Sequence, residues 1–144
     1  MVLKDSRFLP EKELGKLLER HQVIAAYFFG SRAEGTARDD SDYDFAILVD
    51  DSCTQDVGNN LIMELAEEMQ ALLGKEVDLV ILNKASIKFK FLVIKHGKLI
   101  FSADEEQRTD FEDIVIRDYL DFKPVLDLYR KEAREAIKEG HFYG

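Results

Sequence analysis

The chain has 144 residues, of which 46% are apolar, enough for one hydrophobic core and too few for two ordinary domains, so a single domain over residues 1–144 is expected. A formal charge of -9 and a pI of 4.8 argue against a direct nucleic-acid partner, which would need clustered Lys and Arg to neutralise phosphates; a neutral or basic protein partner suits this charge better. Cys53 is the single cysteine, which excludes an intrachain disulfide and a Cys-based zinc cluster, and the charge-dense start "MVLKDSRFLPEKEL" has no apolar core of a secretory signal or membrane anchor, so a soluble, cytoplasmic protein is expected.

In chain order, Pro10 followed by "EKELGKLLERH" places Leu14, Leu17 and Leu18 at helical spacing, with acids early and Arg20 late, as the helix dipole favours. "VIAAYFF", Val23 to Phe29, is short, apolar and stopped by Gly30, which predicts a buried strand. "DYDFAILV" from Asp42 predicts a second strand. Between Asn60 and Leu73 the apolar residues recur at three and four, which predicts an amphipathic helix ended by Gly74. "EVDLVIL", Glu76 to Leu82, and "KLIFS", Lys98 to Ser102, are the third and fourth strands. Ser86 to Lys95 alternates in part, but its length and the Gly97 stop favour a helix. From Glu105 to about residue 140 the spacing predicts one or two helices, with a kink or a new start at Pro124. Strands alternating with helices give an α/β (α+β) class: a mixed β-sheet flanked by helices, with a helical C-terminal tail.

The chemistry concentrates in "FFGSRAEGTARDDSDYDFAIL", Phe28 to Leu48. Residues two apart in a strand share a face, so Asp42 and Asp44 point the same way, and two such carboxylates repel unless a cation sits between them. Oxygen ligands favour a hard ion such as Mg²⁺, which completes its shell with water and substrate phosphates. Gly30 permits close backbone approach at the end of a strand, Ser31 offers an N–H and a hydroxyl, and Arg32 adds charge for the same anion. Asp78, a lone acid in an otherwise apolar strand, is the candidate third carboxylate, since a buried unpaired charge there would be costly. Each feature also has a plainer reading: a solvated acidic loop, a helix cap at Ser31, a surface role for Arg32, or a buried Asp78 paired to a base. A calcium loop through Asp40, Asp42 and Asp44 fails where Phe45 replaces the required glycine. His21, His96 and His141 have no partners at metal or nucleophile spacing, and "IKFKFLVIKHG" reads as core with a lysine-lined edge, the alternative being lysines that approach a nucleotide.

Gly30-Ser31, ten intervening residues and Asp42-Tyr43-Asp44 resemble the signature of the DNA polymerase β-like nucleotidyltransferases, with Asp78 where that superfamily carries its third acid. The wording "GSRAEGTARDDSDYD", the small size and the helical tail look most like the minimal nucleotidyltransferase (MNT) antitoxins, which pair with HEPN-domain toxins. The resemblance covers roughly Val23 to Ile100 well and the tail loosely. It implies the nucleotidyltransferase fold, Gly30, Ser31 and Arg32 on the triphosphate of ATP, and Asp42, Asp44 and Asp78 at Mg²⁺, with Asp78 helping to deprotonate the acceptor. The implied reaction is AMP transfer to a tyrosine hydroxyl of a HEPN toxin RNase within a hetero-oligomer. Two other functions stay open: an antitoxin that neutralises its toxin by contact alone, and a small-molecule nucleotidyltransferase of the aminoglycoside-modifying kind, for whose additional substrate domain this chain has little room.

Overall fold

The computed structural model describes residues 9–30, 42–51 and 56–138. The first helix, α1 (Glu11–Arg20), buries Leu14 and Leu18 and carries Glu11 and Glu13 in its first turn. His21 and Gln22 then turn the chain into β1 (Val23–Phe29), with Gln22 in the left-handed region at φ 61. β2 (Tyr43–Val49) pairs antiparallel with β1, bringing Phe28 opposite Phe45 and Phe29 opposite Asp44. The helix α2 (Asp56–Leu73) carries the chain to β3 (Val77–Ile81), parallel to β2 with Asp44 opposite Asp78. A 3₁₀ turn (Leu82–Lys84), α3 (Ile87–His96), β4 (Lys98–Ser102) and α4 (Glu105–Lys138) follow. Among the described residues four strands form one mixed sheet in the order β3-β2-β1-β4.

Strand alternation divides the core into two layers. On one face Phe28, Phe45, Ile47 and Val49 pack with Leu14 and Leu18 of α1 and Leu65 and Met69 of α2. On the other, Ala25, Tyr27, Ala46 and Leu48 meet Val93 and Phe89 of α3 and Phe111 of α4. Each large side chain buried this way contributes roughly 1.5–3 kcal/mol, so the two layers together hold the sheet between its helices.

Polar contacts fix how the helices sit. Glu68 of α2 accepts from His21 Nε2 at 2.6 Å and pairs with Arg20 at 2.7 Å, tying α2 to the end of α1. The buried Tyr27 hydroxyl donates to Glu112 at 2.6 Å, Glu112 also receives Arg108 at 2.9 Å, and Arg108 Nε donates to Ser102 at 3.1 Å. α4 is thereby clamped to β1 and β4. Burial first, then Glu112, raises the Tyr27 hydroxyl pKa, so it remains a donor. Ser86 caps α3 by accepting from Phe89 N at 3.1 Å, and Asp104 caps α4 by accepting from Gln107 N at 3.0 Å.

Of the one or two helices expected after Glu105 the structure has one, which runs from Glu105 through Pro124 to Lys138 without a new start. The second helix begins at Asp56 instead of Asn60. No helix among the described residues is long and apolar enough to cross a membrane.

Gly74 ends α2 with φ +72, and a Cβ built there would meet nothing within 4 Å. Its replacement therefore tests backbone conformation alone. Gly74→Ala is expected to lower stability by about 1 kcal/mol, seen in urea as a lower midpoint at an unchanged slope.

Candidate active site

The site forms where β1 ends and β2 begins. Because Phe29 pairs with Asp44, and Asp44 with Asp78, the sheet order places these three side chains in one transverse row on the face shared with α3 and α4. Adjacent strands lie about 5 Å apart, so the two acids are neighbours and Asp78 stands about 10 Å from Phe29. Asp42 immediately precedes β2 and is exposed.

Gly30 closes this end of β1. Its φ of +85 lies in the region that favours glycine, and an added Cβ would collide with the Asp44 carboxylate. The expectation for Gly30 is room for phosphate oxygens; what comes close to it among the described residues is the Asp44 carboxylate. Ser31 and Arg32, the other residues expected at a triphosphate, lie outside the described residues, as does the turn that Ser31 was expected to cap.

Asp78 differs from expectation. It is exposed, because β3 is an edge strand of the sheet and α3 and α4 pack over β1. The cost of burying an unpaired charge therefore does not arise at Asp78. It arises at Asp44, which is partly buried. Burial first, then the negative charges of Asp78 and Asp42, push the Asp44 carboxyl above its ordinary range. No positive group offsets those charges among the causes of the shift.

Among the described residues, no three His, Cys, Asp or Glu side chains converge into a ready metal cage. The donor set nevertheless suits a hard cation: the charges of Asp42 and Asp78 act on Asp44, and the three acids offer only oxygen and lack an ion pair among the described residues.

Beside Gly30 lies a recess of about 280 Å³ lined by Phe29, Gly30, Phe89, Leu92, Val93 and His96. Phe29 and Phe89 meet edge to face, with centroids 5.5 Å apart. The α3 sequence reads as core with a lysine-lined edge, and this surface was missed. The available signal was strand parity, which puts Phe29 on the same face as Asp44.

A mixed sheet covered by helices on both faces, with a long C-terminal helix, is a nucleotidyltransferase fold. Residues 12–106 match the family model described as "Polymerase beta, Nucleotidyltransferase". The protein adenylyltransferase MntA of Shewanella oneidensis strain MR-1 is 32% identical over 100 residues, 68% of this chain and 69% of MntA. A crystal structure of a toxin-antitoxin with AMP-PNP matches at 29% identity and a TM-score of 0.66, covering 91% of this chain and 98% of the matched one. A second complex, of the tri-AMPylated S. oneidensis HEPN toxin with its MNT antitoxin, matches at 27% identity and a TM-score of 0.61, covering 92% and 97%. The chain belongs to the polymerase beta nucleotidyltransferase family, among the MntA-like minimal nucleotidyltransferases.

The raised Asp44 pKa has a definite sign. The folded state binds this proton more readily than the unfolded chain, so the group favours folding below its unfolded pKa, and that contribution is lost as pH rises through the raised folded value. In EDTA at neutral pH, Asp44→Asn is expected to raise the melting temperature, with the gain shrinking as pH falls into the carboxylate range. A variant less stable than the parent at pH 7 would contradict this.

Proposed function

We propose that this chain is a Mg²⁺-dependent protein adenylyltransferase that serves as the antitoxin of a HEPN toxin, moving AMP from ATP to a tyrosine hydroxyl of that toxin. The observation that carries the reading is the Asp44–Asp78 pair in register beside Asp42, with Gly30 held against the Asp44 carboxylate. Its support is the belonging of the chain to a nucleotidyltransferase family and its likeness to MntA and to toxin-antitoxin structures holding AMP-PNP or an AMPylated toxin.

In this reading Asp42, Asp44 and Asp78 hold Mg²⁺, and Gly30, Ser31 and Arg32 receive the triphosphate. The bound ion supplies charge neutralisation for the phosphates and the acids together. The acceptor oxygen attacks the α-phosphorus, the bond from that phosphorus to the β-phosphate oxygen breaks, and pyrophosphate leaves. The acceptor proton passes to Asp78, whose exposure at the sheet edge leaves it open to an incoming side chain. The partly buried Asp44 holds its place through the Phe29 register and the close approach of Gly30.

The outer half of α4 supports a macromolecular partner. Val125, Leu128 and Tyr129 are 64%, 57% and 70% exposed and fall at helical spacing along one side, with Phe122 beside them. The same surface favours a second reading, in which docking alone silences the toxin. Two experiments separate them. Incubated with ATP and Mg²⁺, the cognate HEPN toxin is expected to gain one or more AMP units by intact mass, and Asp42→Ala/Asp44→Ala to abolish the gain; Asp78→Asn is expected to slow it by about 10²–10⁴-fold. An unmodified but still inhibited toxin would establish neutralisation by contact. Val125→Asp/Leu128→Asp is expected to weaken the complex at least tenfold by calorimetry while leaving the melting temperature nearly unchanged, since both positions face solvent.

A further inference from the structure

We propose that the groove at the opposite end of the sheet from the acid row receives a basic, amphipathic segment of the protein partner, an assignment that rests on the toxin-binding reading above. The groove holds about 460 Å³ and opens between α3 and α4, where β1 begins and β2 ends. Val49 in its lining follows Asp44 along β2, about 17 Å away at 3.3–3.4 Å per residue. The described residues of the two sites do not overlap.

The lining has an apolar floor and an acidic rim. Leu48, Val49 and Val115 are buried and Ile24 and Phe111 half-buried, with Ile114 of α4 47% exposed beside them. Around them stand Asp50 and Asp51 from the end of β2 and Asp110 and Asp118 from α4, all exposed. Among the described lining residues Lys90 is the one cation, and its Nζ sits over the Phe111 ring, 5.9 Å from the centroid. Asn83 fixes the strand end that carries the first two acids. It accepts from Val49 N at 3.0 Å, donates to Val49 O at 2.7 Å and donates to Asp51 at 3.0 Å.

The surface continues beyond the groove. On α4, Phe111, Ile114, Val115 and Asp118 are followed by Phe122, Val125 and Tyr129 at spacings of three and four, which puts all of them on one side of the helix. The last three are exposed. From Phe111 to Tyr129 this stripe covers about 27 Å at 1.5 Å per residue, a length suited to a protein segment and too great for a small organic cation. The charge selects among larger occupants. Rim acids on a chain of net charge -9 repel a nucleic acid, an anionic lipid surface and a second copy of this chain. They attract Arg or Lys side chains that flank apolar ones, as in an amphipathic segment laid into a groove.

Calorimetry and association kinetics with the cognate HEPN toxin, at low and high salt, test the assignment. Parent affinity is expected to fall as salt rises. Asp110→Lys/Asp118→Lys, at exposed positions, is expected to associate more slowly and to lose about tenfold in affinity at low salt, with a flatter salt dependence. Ile114→Asp is expected to lose about tenfold at both salt concentrations, as the removal of an apolar anchor does. Glu64→Lys/Glu67→Lys makes the same change in net charge on α2, which packs on the other sheet face, and is expected to keep most of the parent affinity. Since the groove lies about two Debye lengths from Asp44 at physiological salt, Mg²⁺-ATP affinity is expected to remain at the parent value in every variant. Toxin affinity at the parent value in the groove variants, or an equal loss in Glu64→Lys/Glu67→Lys, would overturn the groove assignment and leave the toxin reading standing. Self-association of the parent chain that Ile114→Asp abolishes would give the groove to a second copy and overturn it as well. A parent chain that binds no toxin would overturn the toxin reading, and this inference with it.

Discussion

The approach of Gly30 to the Asp44 carboxylate is the constraint on which the site depends. It requires a residue without Cβ, a backbone at positive φ, and a β1–β2 register that brings Phe29 opposite Asp44. That register is set elsewhere, by Phe28 against Phe45, whose rings lie 5.1 Å apart in the core beneath α1 and α2. A slip of one residue would exchange the two faces of the strand, sending Asp44 into that apolar layer and Phe45 to the acid row. The hydrophobic pattern thus places the carboxylate, and the carboxylate dictates the glycine.

Elsewhere in the body two carboxylates are held by named partners. Glu68 has His21 and Arg20, and Glu112 has Tyr27 and Arg108. The acid row is different in kind, since Asp44 feels burial and two like charges together. A fold keeps such tension only where other interactions over-determine it, and here the sheet pairing does so on both sides of Asp44. The energy withheld from folding remains available for a cation or a substrate that neutralises the row.

The strands β1 and β4 were legible to the residue, because a short run of β-branched and aromatic residues ending in Gly30, and a short run following Gly97, leave little freedom. Gly97 illustrates a right answer with a different cause. Its φ of -72 is ordinary, and the glycine is required because a Cβ would press on the Val93 carbonyl. The exposure of Asp78 was not legible, since an apolar strand reads the same at the edge of a sheet as at its centre; sheet order is a property of pairing. Nor was the Tyr27–Arg108–Glu112 clamp, whose members meet across 85 residues of sequence. The choice between one helix and two at Pro124 stayed open for a related reason: the cost of proline depends on its surroundings, and composition does not report those.

The long helix joins the two halves of the proposed function. In its first half Val115 is buried, Phe111 packs against the core layer and Tyr119 stacks on Phe91 at 4.0 Å, while Ile114 and Ile116 stay exposed. Beyond Leu120 apolar residues continue, but Val125, Leu128 and Tyr129 face solvent. Helices in water owe most of their stability to packing of an apolar face, so such a stretch is suited to a second surface. The clamp that holds the inner half runs to Tyr27 on β1, the strand that ends at Gly30. A partner seated on the outer half would therefore be tethered through a rigid path to the acid row, raising the effective concentration of its hydroxyl there without any contact at the site itself.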